Sequence, residues 1–139
     1  MLWIEHSLFM IIKESVLYSG DNSGAKYVKC IHVLNKKNAI GVVGNTLLIV
    51  VKKFIHKKKL KRKLIYFGLL VTVRQYNSRL DGSMVKFCSN RVLLFSKQFK
   101  FLGTRIYGGI SKDIRLQLNL GIIDKKKYQK IVSHINLAV

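Results

Sequence analysis

The sequence predicts a mainly β fold: a small closed or nearly closed barrel, followed by a C-terminal segment of short α-helices. Three observations predict it. Through the first two-thirds of the chain, Val, Ile, Leu, Tyr and Phe cluster in short runs separated by polar turns. Two of those turns, DNSG (21–24) and DGS (81–83), carry the Asp, Asn and Gly chemistry of tight reversals. From Ile110 onward the apolar period changes to four residues, as in Ile110, Ile114 and Leu118. Short strands joined by meandering turns favour closure, which removes exposed strand edges.

Taken in order, the candidate strands are Met10–Tyr18, Lys26–Leu34, Thr46–Phe54, Leu64–Arg74, Met84–Phe87 and Arg91–Phe95. Several, such as LLIVV (47–51), are apolar on both faces. One face is expected to fill a barrel interior and the other to lie under helices or a neighbouring segment. In DNSG, Asp21 and Asn22 can bond nearby amides and Gly24 can supply positive φ. The turn is expected either to set the exit angle of the next strand or to offer its own amides to a ligand. Asp81-Gly82 marks a hairpin between apolar segments. Ser111 is the expected N-cap of a first helix and Gly121 its stop. Asp124 can cap a second helix, whose stripe of Tyr128, Ile131, Val132, Ile135, Ala138 and Val139 is expected to pack on the barrel while Lys125, Lys126, Lys127 and Lys130 stay solvated.

A chain of 139 residues is one domain's worth. Its 26 Lys and Arg against six acids give a formal charge of +20, so a compact fold repels itself until a polyanion neutralises it. Nucleic acid is the leading partner, ahead of an anionic membrane surface. The longest apolar runs are too short to span a bilayer, which takes about 20 residues. The opening MLWIEHSLFMIIKESVLY has no basic leading region, and is expected to be neither a secretory signal nor an import presequence. Cys30 and Cys88 form no CxxC pair, so two separate thiols are expected. The chain has no proline and three alanines, but fifteen isoleucines, twenty lysines and eight asparagines. These are residues of AT-rich codons, which points to a strongly AT-rich genome, such as an organellar one.

The densest signal is KKFIHKKKLKRKL (52–64), with eight Lys and Arg within twelve residues. At this net charge the run reads as an arm that follows phosphates, each neutralised phosphate releasing about one counterion. Further cations sit at Lys26, Lys29, Lys36 and Lys37, and at Arg74, Arg79, Arg91, Arg105 and Arg115. Tyr66, Tyr76 and Tyr107 can stack on bases, although a lone tyrosine is more often a core or rim aromatic. Catalysis is not expected. The carboxylates are scattered, and three of the aspartates sit at turns or caps with local backbone roles. The histidines share no triad or metal spacing, and no cofactor is expected. In GTRIYGG (103–109), Arg105 stands between glycines that let backbone approach a partner closely.

DNSGAKYVKCIHVL, RLDGSMVKF and GTRIYGGISKDIR, in that order and spacing, resemble the universal large-subunit ribosomal protein fourteen family from about Met10 to Arg115. The resemblance implies a five-stranded closed β-barrel with a C-terminal helical segment. It implies an extension at 1–9, an rRNA-binding barrel at 10–109 and a helical segment at 110–139. It also implies a structural protein of the large ribosomal subunit, bound to large-subunit rRNA on the face that meets the small subunit. Small-subunit rRNA through a bridge, large-subunit proteins three and nineteen, and the ribosome silencing factor are the implied partners; a membrane is not. The host compartment is expected to be the mitochondrion, with a plastid or the bacterial cytoplasm as alternatives. The expected rRNA contacts are Lys26, Lys29, Lys36 and Lys37; Lys52 and Lys53; Lys57, Lys58, Lys59, Lys61, Arg62 and Lys63; and Arg74, Arg79 and Arg115. Thr104, Arg105 and Tyr107 are the expected intersubunit or protein contacts.

This chain departs from the family pattern in four places. Gly44-Asn45 replaces the usual Gly-Asp. IHKKKLKRKL replaces a loop with proline, glycines and an acid. QYNSRL (75–80) is a shrunken basic hairpin, and LQLNLGIIDKKKY (116–128) is longer than the norm. A free single-stranded nucleic-acid-binding barrel is the alternative function. Such modules array aromatics on one sheet face, and no such array is evident along the chain.

Replacing Lys57, Lys58, Lys59, Lys61, Arg62 and Lys63 with Gln is expected to weaken RNA association and to flatten its salt dependence. The slope should fall by roughly one for each phosphate that is no longer neutralised. Filter binding across a salt series checks this, and no change in affinity or slope would make the run a solvated loop.

Overall fold

In the computed structural model, residues 11–34, 40–54, 64–74, 77–78, 81–103, 105–120, 128 and 131 are described. The strands are β1 (Val16–Ser19), β2 (Ala25–Val33), β3 (Thr46–Phe54), β4 (Ile65–Thr72), β5 (Asn77–Ser78), β6 (Met84–Val85) and β7 (Arg91–Phe95), and one helix follows among the described residues, α1 (Asp113–Leu120). Five strands close a barrel in the order β1-β2-β3-β4-β7, while β5 and β6 form a separate two-stranded hairpin. Every barrel pairing is antiparallel except β1 with β7, where Tyr18 stands beside Arg91 and Ser19 beside Val92. The five-stranded closed barrel implied by the family resemblance is therefore the architecture.

The interior follows from the alternation along each strand. Leu17, Val28, Cys30, Leu47, Ile49, Leu70, Val92 and Leu94 are fully buried, and burial of this kind supplies the main driving force of folding. Gly68 leaves the room that Ile49 takes, since a Cβ there would lie 3.2 Å from the Ile49 Cδ1. Burial pushes the Cys30 thiol above its ordinary pKa, although a backbone hydrogen bond with His32 pulls the other way. It therefore stays protonated and unreactive, which leaves Cys88 as the exposed thiol.

The structure corrects several expectations. The run Met10–Tyr18 is not one strand. Ile11 makes an isolated bridge to Gly41, Glu14 takes a left-handed backbone at φ 72, and only Val16–Ser19 joins the barrel. Leu64–Arg74 shortens to Ile65–Thr72, and Met84–Phe87 shrinks to Met84–Val85, which pairs with Asn77–Ser78 outside the barrel. In LLIVV the alternation is clean: Leu47, Ile49 and Val51 are buried, while Leu48 and Val50 are half-buried. The strands buried on both faces are β4 and β7, where Leu69–Thr72 and Val92–Phe95 have no exposed member.

An aromatic cluster on that side is not evident from the sequence. Phe99 adopts φ 58 in a loop where the Ser96 Oγ accepts hydrogen bonds from the Gln98 and Lys100 amides. Its ring stacks on Phe67 at 4.4 Å and meets Tyr128 edge-on. Tyr128 also packs edge-on against Phe95 and shares a 2.6 Å hydrogen bond with the Thr46 hydroxyl. Tyr128 and Ile131 are buried, as the apolar stripe predicts; Val132, Ile135, Ala138 and Val139 lie outside the described residues. On α1, Ile114 and Leu118 are buried, and the Ser111 Oγ accepts from the Asp113 amide as the expected cap. Asn45, at the position where the family pattern has aspartate, accepts on its side-chain oxygen from the Val42 amide at 2.7 Å.

DNSG is a lock rather than a presented loop. The Asp21 carboxylate is buried and accepts hydrogen bonds on one oxygen from the Ser19 hydroxyl and from the Ser23 amide and hydroxyl. Its other oxygen accepts from the Leu94 amide in β7 at 2.9 Å. The Asn22 amide donates to the Arg105 carbonyl, and its side-chain oxygen accepts from the Arg105 amide. Gly103 lets the two segments meet, since a Cβ there would lie 2.9 Å from the Asn22 Oδ1. The amides of Asn22 and Ser23 are thus satisfied inside the protein, which removes the expectation that this turn offers them to a ligand.

Asp21→Ala is expected to destabilise the fold by about 3 kcal/mol, because it strands several buried donors at roughly 1–3 kcal/mol each. Asp21→Asn, which keeps one acceptor oxygen, is expected to cost less. Urea unfolding at constant slope checks both, and a loss below about 1 kcal/mol for the alanine variant would contradict the lock.

Candidate nucleic-acid interface

The cations of β2 and β3 reach the surface through breaks in the ladder. Between the Ala25–Phe54 and Tyr27–Lys53 pairs, β2 carries one extra residue, Lys26. Between Tyr27–Lys53 and Val28–Val51, β3 carries one extra, Lys52. A bulge releases its extra residue from pairing and re-aims it, and Lys26, Lys52 and Lys53 are all exposed. Lys29 is half-buried, between Val16 on one side and Val50 on the other. The strand run therefore ends in two outward lysines at residue 53, where the 52–64 basic run begins.

Register assembles a second feature across four strands. Tyr18 pairs with Arg91 of β7 and with Tyr27 of β2, and Tyr27 pairs with Lys53 of β3. Directly opposed residues project to the same side of a sheet, so Arg91, Tyr18, Tyr27 and Lys53 form one row on the outside of the barrel. The Tyr18 and Tyr27 rings lie 5.1 Å apart. Beside this row is a cleft lined by Tyr18, Ser19, Arg74, Cys88, Ser89, Arg91 and Tyr107.

Of the sequence-predicted residues, Arg74 and Tyr107 meet in this cleft, and Arg105 is exposed two residues from Tyr107. Arg115 is exposed on α1, apart from the cleft. Tyr66 is buried, which removes it as a stacking residue. Lys36, Lys37, Lys57, Lys58, Lys59, Lys61, Arg62, Lys63, Arg79, Thr104 and Tyr76 lie outside the described residues. Sequence reasoning missed Tyr18 and Tyr27 as surface aromatics. The signal was available in VLYS, where an inward Leu17 requires an outward Tyr18.

The described aspartates serve local turns and the start of α1. Asp81 accepts from the Ser83 amide, and Asp113 accepts from the Ser111 hydroxyl, as Asp21 does from Ser19 and Ser23. Among the described residues no three His, Cys, Asp or Glu side chains gather as metal ligands, and no helix is long and apolar enough to cross a membrane. What this surface offers is cations and aromatic faces, the groups that grip phosphates and bases.

The sequence pattern of the family described as ribosomal protein L14p/L23e matches residues 10–138. The chain belongs to that family. It is accordingly a structural constituent of the large ribosomal subunit, associated with the ribosome, its rRNA and other ribosomal proteins. The L14p/L23e match continues past Arg115, where the motif-by-motif resemblance ends, through Tyr128, which meets Thr46 of β3 and Phe95 of β7.

Proposed function

We propose that this L14p/L23e member is held on the intersubunit face of the large subunit by its outward lysines. Lys26, Lys29, Lys52 and Lys53, with the basic run to Lys63, neutralise phosphates of large-subunit rRNA. The observation that carries this reading is the pair of bulges that turn Lys26 and Lys52 out of the ladder in a chain of charge +20. Arg74, Arg79, Arg115, Lys36 and Lys37 add further phosphate contacts. Arg105, whose amide donates to the Asn22 side chain, acts with Thr104 and Tyr107. They contact small-subunit rRNA in a bridge and receive the silencing factor, beside proteins three and nineteen. The weight of Ile, Lys and Asn against Pro and Ala supports a mitochondrial ribosome.

The adjacent Tyr18 and Tyr27 rings favour the second reading, a free single-strand-binding barrel. Membership in the L14p/L23e family over residues 10–138 weighs against it. Sucrose-gradient fractionation of ribosomes from the source, with mass spectrometry of each peak, separates the two. Co-sedimentation with the large subunit is expected through moderate salt, with release only at high salt as many phosphate contacts are given up together. Recovery only in the light fractions would overturn the ribosomal reading and leave the free barrel.

A further inference from the structure

The cleft beside the tyrosine row has a shape that phosphate neutralisation does not use. It is an open groove of about 470 Å³, a volume within the range of about 300–1,000 Å³ typical of small-molecule sites. Tyr18 and Tyr107 stand in it half exposed, at 49% and 50%. Both are fixed by backbone. Tyr18 is paired on two sides by β2 and β7, and the Tyr107 amide donates to the Gly20 carbonyl at 2.8 Å. None of the described lining residues is acidic.

Arg91 is aimed into this space by its neighbours. Its Nε donates to the Ser89 hydroxyl at 3.2 Å and its Nη1 to the Tyr107 carbonyl at 3.3 Å. Gly108 makes that position available, having φ 69 and no Cβ, which would otherwise lie 2.5 Å from the Arg91 Nη1. These bonds leave the Nη2 donors of the guanidinium without a partner among the described residues. A preorganised fork with spare donors suits a phosphate, and flanking aromatic faces suit a base.

We propose that this cleft receives one unpaired nucleotide of the bound RNA, its base against Tyr18 and Tyr107 and its phosphate on Arg91. Arg74 closes the rim. The proposal rests on the rRNA-binding reading and adds to it a site that distinguishes single-stranded from paired RNA. A base inside a duplex has both faces covered by stacking and cannot enter, whereas a bulged or looped-out base can.

Cys88 supplies a reporter that requires no mutation, since it is an exposed free thiol lining the cleft while Cys30 is buried. The full-length chain is titrated with an RNA hairpin carrying one bulged adenine and with the same hairpin fully paired, and iodoacetamide alkylation of Cys88 is followed in each complex. The bulged hairpin is expected to bind roughly tenfold more tightly, at the lower end of what stacking one base on aromatics contributes. It alone should slow Cys88 alkylation several-fold. Joint Tyr18→Leu and Tyr107→Leu replacement should erase that preference and, with it, the difference in Cys88 alkylation between the two hairpins. Equal affinity for the two hairpins with equal Cys88 reactivity would overturn the nucleotide cleft and leave phosphate binding intact. A chain that binds neither hairpin at low salt would remove the RNA reading and this inference with it.

Discussion

The fold depends on one buried carboxylate. Among the described residues Asp21 has no cation as a hydrogen-bond donor; it is held by amide and hydroxyl donors from its own turn and by the Leu94 amide across the barrel. A desolvated charge is tolerated only when such bonds are nearly saturated. Those bonds fasten the β1–β2 turn to β7 at the point where β1 and β7 pair in parallel and the barrel closes. Asn22 extends the hold to Arg105. Everything presented near that seam inherits its position from the lock: Tyr18 and Arg91 on the strands, Arg105 and Tyr107 on the segment beyond.

A strongly cationic protein must keep its charges apart from each other and within reach of a polyanion. Here the barrel does both by breaking its own regularity. Strict alternation from the inward Val28 and Val51 would point Lys26 and Lys53 inside. The bulges lift them out instead, and the interior between Leu47 and Val51 stays wholly apolar on its inward face. The aspartates follow the same division. Each described one serves a turn or a cap.

Much of this was legible in the chain. DNSG announced a constrained turn, Ser111 a helix start, and the spacing of Ile110, Ile114 and Leu118 a helix with one buried face. Local chemistry determines such features, so local sequence reveals them. What stayed hidden is long-range. The Asp21–Leu94 and Asn22–Arg105 bonds span more than seventy residues. The row of Arg91, Tyr18, Tyr27 and Lys53 exists only after register is set, and bulges move that register by single residues. The break at Glu14 was also hidden, because an apolar run conceals a left-handed residue until its neighbours force the bend. Arg91 was visible as a cation, but its role depends on a glycine seventeen residues later that yields space to it.

The central claim is that a locked, internally satisfied barrel turns one cationic and aromatic outer face toward a fixed RNA. A cryo-EM reconstruction of the large subunit that carries this chain tests it most directly. The account predicts rRNA against Tyr18, Arg91 and Lys53, with the Asp21 turn folded onto the protein's own 101–107 segment. RNA seated on the amides of the Asp21 turn, with the tyrosine row facing solvent, would contradict it.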